Sequence, residues 1–155
     1  MISKSFEQAI MHVAEILTKN KIRWAVIGST NRALHGMDVV PNDLDIIVHF
    51  DDLKKIPLLF KKDNTSAVTA LKTTTGMPAW DVKMVFGGVD IQFVGEEDEG
   101  LYVQHLIKGK VTLETLGQMK IPCLALEAEI EAYERTNRSE KAGKIREFLE
   151  KTHYH

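Results

Sequence analysis

A chain of 155 residues, 44% apolar and 27% charged, has the length and balance of one compact unit, which excludes a disordered, collagenous or coiled-coil protein. Twenty basic against 22 acidic side chains give a formal charge of -2, so no global field draws the chain to nucleic acid or an anionic membrane. The single cysteine, Cys123, excludes an internal disulfide and a cysteine-cluster zinc site, and no segment approaches the roughly 20 apolar residues of a membrane span.

The first residues carry no long apolar run behind a basic start, so no signal peptide is expected and the expected location is the cytoplasm. A single domain over residues 1–155 is expected, with a core over about 5–95 and a helical extension over about 103–151.

In chain order, Phe6, Ile10, Val13, Ala14 and Leu17 recur at helical spacing behind Ser5, a candidate N-cap with Gln8 completing a capping box, so residues 5–19 predict an amphipathic helix. Trp24-Ala25-Val26-Ile27 predicts a short strand, stopped by Gly28-Ser29, with a helical turn or two from Thr30 to His35. Residues 44–50 predict a second strand. Asp51 and Asp52 then suit the cap of a helix that Pro57 shortens or kinks.

Residues 68–74, 80–86 and 89–94 predict three further strands. The last two are joined by Gly87-Gly88 in a two-residue primed turn, because both central positions there need positive φ. From Val103 onward the spacing of Leu124, Ala128, Ile130 and Tyr133, then of Ala142, Ile145 and Leu149, predicts helices parted near Asn137-Arg138-Ser139. The fold class is therefore α+β, a mixed sheet with flanking helices and a helical C-terminal end.

Side chains alternate along a strand, so Asp43 and Asp45 share one face while Leu44 and Ile46 enter the core. Two carboxylates held so close call for a compensating cation, and hard oxygen ligands suit Mg²⁺ or Mn²⁺ rather than zinc. The polar phase of Val89-Asp90-Ile91-Gln92-Phe93 puts Asp90 on the face opposite the core, where it can join the pair if its strand lies beside the second. Three carboxylates can hold two ions about 3.5 to 4 Å apart on either side of a phosphoryl group, which is phosphoryl-transfer chemistry.

Gly28-Ser29 is the complementary phosphate site, since a glycine lets a phosphate approach the backbone and the Ser29 hydroxyl can bind its oxygens. Arg32, one turn on, is a candidate clamp for the phosphate chain. A two-residue hairpin loop pairs Phe86 with Val89 and Lys83 with Gln92, which puts Lys83 on the face of Asp90, where it can meet departing pyrophosphate.

Gly28, Ser29, Asp43, Asp45 and Asp90, in this order, resemble the signature of the DNA polymerase β-like nucleotidyltransferase superfamily: strand, Gly-Ser turn, helix, strand-borne Asp-x-Asp and a later strand Asp. His35-Gly36 leading through Pro41-Asn42 to Asp43-Leu44-Asp45 looks like its small bacterial and archaeal members, the lincosamide-type and minimal nucleotidyltransferases. The resemblance implies that Asp43 and Asp45 bind both metals and that Asp90 binds the catalytic metal and assists deprotonation of the acceptor. It also implies that Gly28-Ser29 binds the nucleoside triphosphate, ATP or another. The expected activity is transfer of a nucleoside monophosphate to a hydroxyl of a small molecule, a protein or an RNA. The rival expectation is a non-catalytic module that binds a nucleotide or a partner protein, as in toxin–antitoxin or resistance systems, and in either case the chain can pair as a homodimer or with a partner protein.

Other polar residues suit structural roles. His35 and His49 have no second histidine at a metal-binding spacing, Asp81 lies in the hairpin's polar phase far from the turn and reads as surface, and Cys123 reads as a small buried residue. Glu131 with Arg135, Glu134 with Arg138, Glu140 with Lys144 and Glu147 with Lys151 are four apart, the pattern of a solvated helix face.

Overall fold

The computed structural model describes residues 2–153. Helix α1 (Lys4–Lys19) buries Ala9, Ile10, Val13, Ala14 and Leu17, as their spacing requires. Its cap is Ser3, whose Oγ accepts from the Phe6 N–H at 3.3 Å, so the helix starts a residue before the expected Ser5. Strand β1 (Trp24–Ile27) is wholly buried and runs into α2 (Gly28–Leu34), which an irregular stretch joins to β2 (Leu44–His49). Pro57 splits the following helix into α3 (Phe50–Leu53) and α4 (Ile56–Leu59), and His49 rather than Asp51 or Asp52 is the cap, its Nδ1 accepting from the Asp51 N–H.

Strands β3 (Thr69–Ala70), β4 (Ala79–Phe86) and β5 (Val89–Glu96) follow, then α5 (Val103–Ile107), β6 (Val111–Leu116), β7 (Met119–Leu124), α6 (Leu126–Arg135) and α7 (Ser139–His153). The sheet order is β3-β4-β5-β2-β1-β7-β6, with β2 parallel to β5, β1 parallel to β7 and the remaining pairs antiparallel. This is the expected mixed α+β class. The Gly87-Gly88 turn has positive φ at both residues and pairs Phe86 with Val89 and Lys83 with Gln92, as expected.

Two expectations are corrected. The strand over 68–74 shrinks to Thr69–Ala70, since both residues are exposed at a sheet edge with nothing to bury against. The stretch after Val103 is not all helix: β6 and β7 form a hairpin that extends the sheet beyond β1.

One face of the sheet, with Leu44, Ile46, Val48, Ile91, Phe93 and Cys123, packs on α1 and on Leu53, Ile56 and Phe60. The other buries Ala25, Ile27, Ile47 and Leu124 against α5 and α6. Along β2, Leu44, Ile46 and Val48 enter the first layer, so the odd positions, Asp45 included, lie on the second face. Among the described residues no helix is long and apolar enough to cross a membrane.

Candidate active site

The end of the sheet where β1 gives way to α2 is built by hydrogen bonds that reach across the chain. Gly28 has φ +76°, and a Cβ there would lie 2.9 Å from Asp45 Oδ2, so conformation and space both demand glycine. The Ser29 hydroxyl oxygen accepts from the Asn42 N–H at 3.1 Å, and the Thr30 hydroxyl donates to the Asp43 carbonyl at 2.7 Å. These two bonds tie the Gly-Ser turn to the entry of β2 and leave the Ser29 hydroxyl proton free to donate.

Asp45 is half-buried beside Ile27, its partner on β1. Burial, reinforced by the charge of Asp43, raises its carboxyl to about 6, and Oδ1 is buried without a hydrogen-bond partner. Asp43 and Asp90 are exposed and stand one step before the paired residues Leu44 and Ile91 on adjacent strands, so the sequence places all three carboxylates on one face. Asp43, Asp90, Lys83 and Gln92 line a cleft of about 990 Å³ closed on another side by residues 63–66.

The donor set fits a hard cation at the level of the pair, since a buried carboxylate oxygen with no partner is where a cation would satisfy it. Among the described residues, however, no three His, Cys, Asp or Glu side chains are gathered into a group that could hold a metal ion. The expected convergence of Asp90 with Asp43 and Asp45 is therefore not preassembled.

The two candidate phosphate cations are separated. Lys83 lines the cleft, its Nζ 3.9 Å from Asp81 Oδ2. Arg32 is buried, its guanidinium over the Tyr133 ring at 5.7 Å from the centroid, and is not part of the cleft lining. Asp81 is corrected from surface to buried: β3 makes β4 an interior strand, and the Gln92 amide donates to Asp81 Oδ2 at 2.7 Å. His35, His49 and Cys123 hold structural positions as expected, the histidine rings bonded to the Leu124 carbonyl and to Asp98, the thiol fully buried.

Sequence reasoning missed Glu129. Fully buried on α6, it accepts from the Gly28 N–H at 2.9 Å through Oε1 and from Asn31 Nδ2 at 2.8 Å through Oε2, while Asn31 Nδ2 also donates to the Leu124 carbonyl. Burial raises its carboxyl to about 7 against the lowering by these two bonds and by Arg32. The amide of Gly28 is thus already taken, so a phosphate at this turn would meet the Ser29 hydroxyl and the amides that follow Gly28. A signal was present: Glu129 stands three after Leu126 and four before Tyr133, an acid inside an apolar stripe.

Comparison with known proteins bears on the family and the fold. No curated protein matches the chain, but the family profile for aminoglycoside-2''-adenylyltransferases matches residues 9–148. A solved structure of a provisionally assigned nucleotidyltransferase from Thermotoga maritima is similar over 97% of this chain and 96% of its own, with 24% identity and a TM-score of 0.75. The crystal structure of ANT(2'')-Ia with adenylyl-2''-tobramycin is similar over 95% of this chain and 98% of its own, at 10% identity and TM-score 0.55. The solution structure of the same resistance factor gives 98% and 95%, 10% identity and 0.54. A profile match that runs through most of the chain, on a fold shared nearly end to end with nucleotidyltransferases, means that this chain belongs to the aminoglycoside-2''-adenylyltransferase family of DNA polymerase β-like nucleotidyltransferases.

Proposed function

We propose that the protein transfers a nucleoside monophosphate from an NTP to a hydroxyl of an amine-bearing small molecule and releases pyrophosphate. The observation that carries this reading is the Asp43–Asp45 pair, with its unpartnered buried oxygen, stitched through Asn42 and Thr30 to the Gly28-Ser29 turn. Asp43 and Asp45 would hold Mg²⁺ or Mn²⁺, with Asp90 completing the set by side-chain rotation from its exposed position. The metal would supply charge neutralisation for the α-phosphate and the leaving oxygen.

The chain's own groups do the rest. The Ser29 hydroxyl donates to the phosphates and holds the α-phosphorus near the aspartates. Asp90, in the cleft, accepts the proton of the acceptor hydroxyl as its oxygen attacks phosphorus and the bond to pyrophosphate breaks. Lys83 in the same cleft offers a cation to the departing pyrophosphate. Catalysis is then mainly positioning and charge complementarity.

The cleft supports this acceptor class. Asp43, Asp63 and Asp90 outnumber Lys83 along its lining, a field that favours a cationic acceptor over RNA, and the solved ANT(2'')-Ia complex carries an adenylylated aminoglycoside. One observation favours the second reading, a non-catalytic module acting with a partner: the carboxylates are not gathered into a metal-binding group.

The deciding experiment incubates the protein with Mg²⁺, labelled NTPs and a panel of aminoglycosides, then with cell extract. Label transfer that is abolished in Asp45→Asn and Asp90→Asn is expected. No NTP binding at millimolar Mg²⁺, with no labelled product, would leave the module as the better account.

A further inference from the structure

Asp81 is a buried acid that the reaction proposed above does not use. It stands on β4 at 3% exposure, and among the described residues its carboxylate has two polar neighbours: Gln92 Nε2, which donates to Oδ2 at 2.7 Å, and Lys83 Nζ, 3.9 Å from the same oxygen. The Lys83 side chain is largely exposed and beyond hydrogen-bond distance, so its ammonium stays available to the cleft. A carboxyl group withdrawn from water loses hydration that one amide bond only partly replaces. What Asp81 holds is therefore the Gln92 carboxamide.

Gln92 is the middle of a row that crosses three strands. Its Cα partner on β4 is Lys83, and its Cα partner on β2 is Asp45. Residues paired across neighbouring strands share a face and stand about 5 Å apart, so the long Gln92 side chain has two carboxylates in its neighbourhood, Asp81 and Asp45. It is bonded to one of them. The amide nitrogen donates to Asp81, whereas Asp45 Oδ1 is buried and has no hydrogen-bond partner. Asp45 Oδ2, the other oxygen, lies on the Gly28 side, 2.9 Å from where a Cβ of that glycine would stand.

The two possible partners have different consequences. An amide hydrogen on Asp45 Oδ1 would satisfy that oxygen, and a cation would have to break the bond before it could bind there. Donated to Asp81 instead, the same hydrogen leaves the oxygen orphaned, in a state that an arriving cation relieves. Gln92 is therefore a competitor of the cation, and Asp81 decides where it points.

We propose that Asp81 is a positioning residue for the candidate metal pair: by holding the Gln92 amide toward β4, it keeps Asp45 Oδ1 open for the cation. The inference rests on the reading of Asp43 and Asp45 as cation ligands. Asp81 itself touches neither metal nor nucleotide and acts through Gln92 alone, so its effect must vanish when the carboxamide is removed.

The test is a double-variant cycle on the full chain, read as Mn²⁺ affinity by calorimetry with no nucleotide present. Asp81→Leu removes the acceptor at similar side-chain size and frees the Gln92 amide to turn to Asp45. Mn²⁺ should then bind about tenfold more weakly, the worth of one hydrogen bond to a charged group. In a Gln92→Met background no amide is left to turn, so adding Asp81→Leu should change the affinity by less than about twofold. A crystal structure of metal-free D81L should show Gln92 Nε2 within about 3.2 Å of Asp45 Oδ1. Equal losses in the two backgrounds would mean that Asp81 acts through its charge or through the fold, and would overturn the proposal. D81L binding Mn²⁺ like the wild type would overturn it too, and in both cases the metal pair would stand. Should D81L not fold, D81N keeps the shape of the side chain and loosens its hold on the amide, and the same contrast between backgrounds is expected at smaller size; no contrast would overturn the proposal. A wild type that binds no Mn²⁺ would instead overturn the metal pair, and this role of Asp81 with it.

Discussion

Gly28 is under two constraints at once, a left-handed backbone and an aspartate oxygen in the space a Cβ would take. Gly28→Ala should therefore cost about 1–2 kcal/mol from backbone strain and also displace the Asp45 carboxylate. The expected outcome is a lowered urea midpoint together with weakened Mn²⁺ binding; a variant that loses stability but binds metal like the wild type would show that Gly28 matters to the fold alone. Glu129 gives a second residue-level prediction. Its carboxyl ionises near 4.5 when unfolded and near 7 when folded, so the folded state holds the proton more tightly between those values. The stability this contributes is full below about pH 4.5 and is lost as pH rises through about 7. Urea unfolding from pH 5 to 8 should thus show wild-type stability falling by on the order of 3 kcal/mol more than that of Glu129→Gln. Asp45, raised to about 6, acts in the same direction in both proteins, so the comparison isolates Glu129. Parallel pH profiles would mean that Glu129 does not titrate in this range.

At the scale of the elements, the hairpin β4–β5 sets the register that puts Lys83 and Asp90 on one face. Gly88 has φ +81° with open space around its Cα, so Gly88→Ala has only strain to bear and should destabilise by about 1 kcal/mol without moving the site. Its nucleotide affinity should match the wild type; a large loss would show that the turn itself touches ligand. The contrast between this hairpin and β6–β7 explains what the sequence discloses. Val89 to Val94 alternates cleanly and Gly87-Gly88 announces the turn, so strand, partner and register were readable. The second hairpin turns at Gly117-Gln118, where only the glycine has positive φ, and β7 contains Pro122, which cannot donate to a ladder and so masks a strand. The candidate residues are readable for the same reason as β4–β5: Asp43, Asp45 and Asp90 lie in strand phase and Gly28-Ser29 at a turn, all of them local patterns. Glu129 and Asn31 were not, because their partners are remote in the chain and only the folded sheet brings them together.

For the molecule as a whole, a ligand that binds only the native state raises its stability by mass action. At a hundredfold excess over its dissociation constant the gain is about 2.7 kcal/mol, worth several degrees in a chain of this size. ATP with Mg²⁺ should therefore raise the melting temperature by about 5–10 °C, and Asp45→Asn should lose most of that rise while melting normally alone. An unshifted wild-type transition at saturating nucleotide would argue against any nucleotide site.

The bond from Glu129 to the Gly28 amide has a consequence for the protein's birth. Every carboxylate of the candidate metal site has left the ribosome once residue 90 is out, and so has the Gly-Ser turn, yet the side chain that holds that turn arrives from α6. A nascent chain therefore carries these aspartates through the 39 residues from Asp90 to Glu129 before the side chain that holds the turn has been made. The turn is fixed only as α6 docks and brings Glu129 to the Gly28 amide, so one late folding step completes the candidate site.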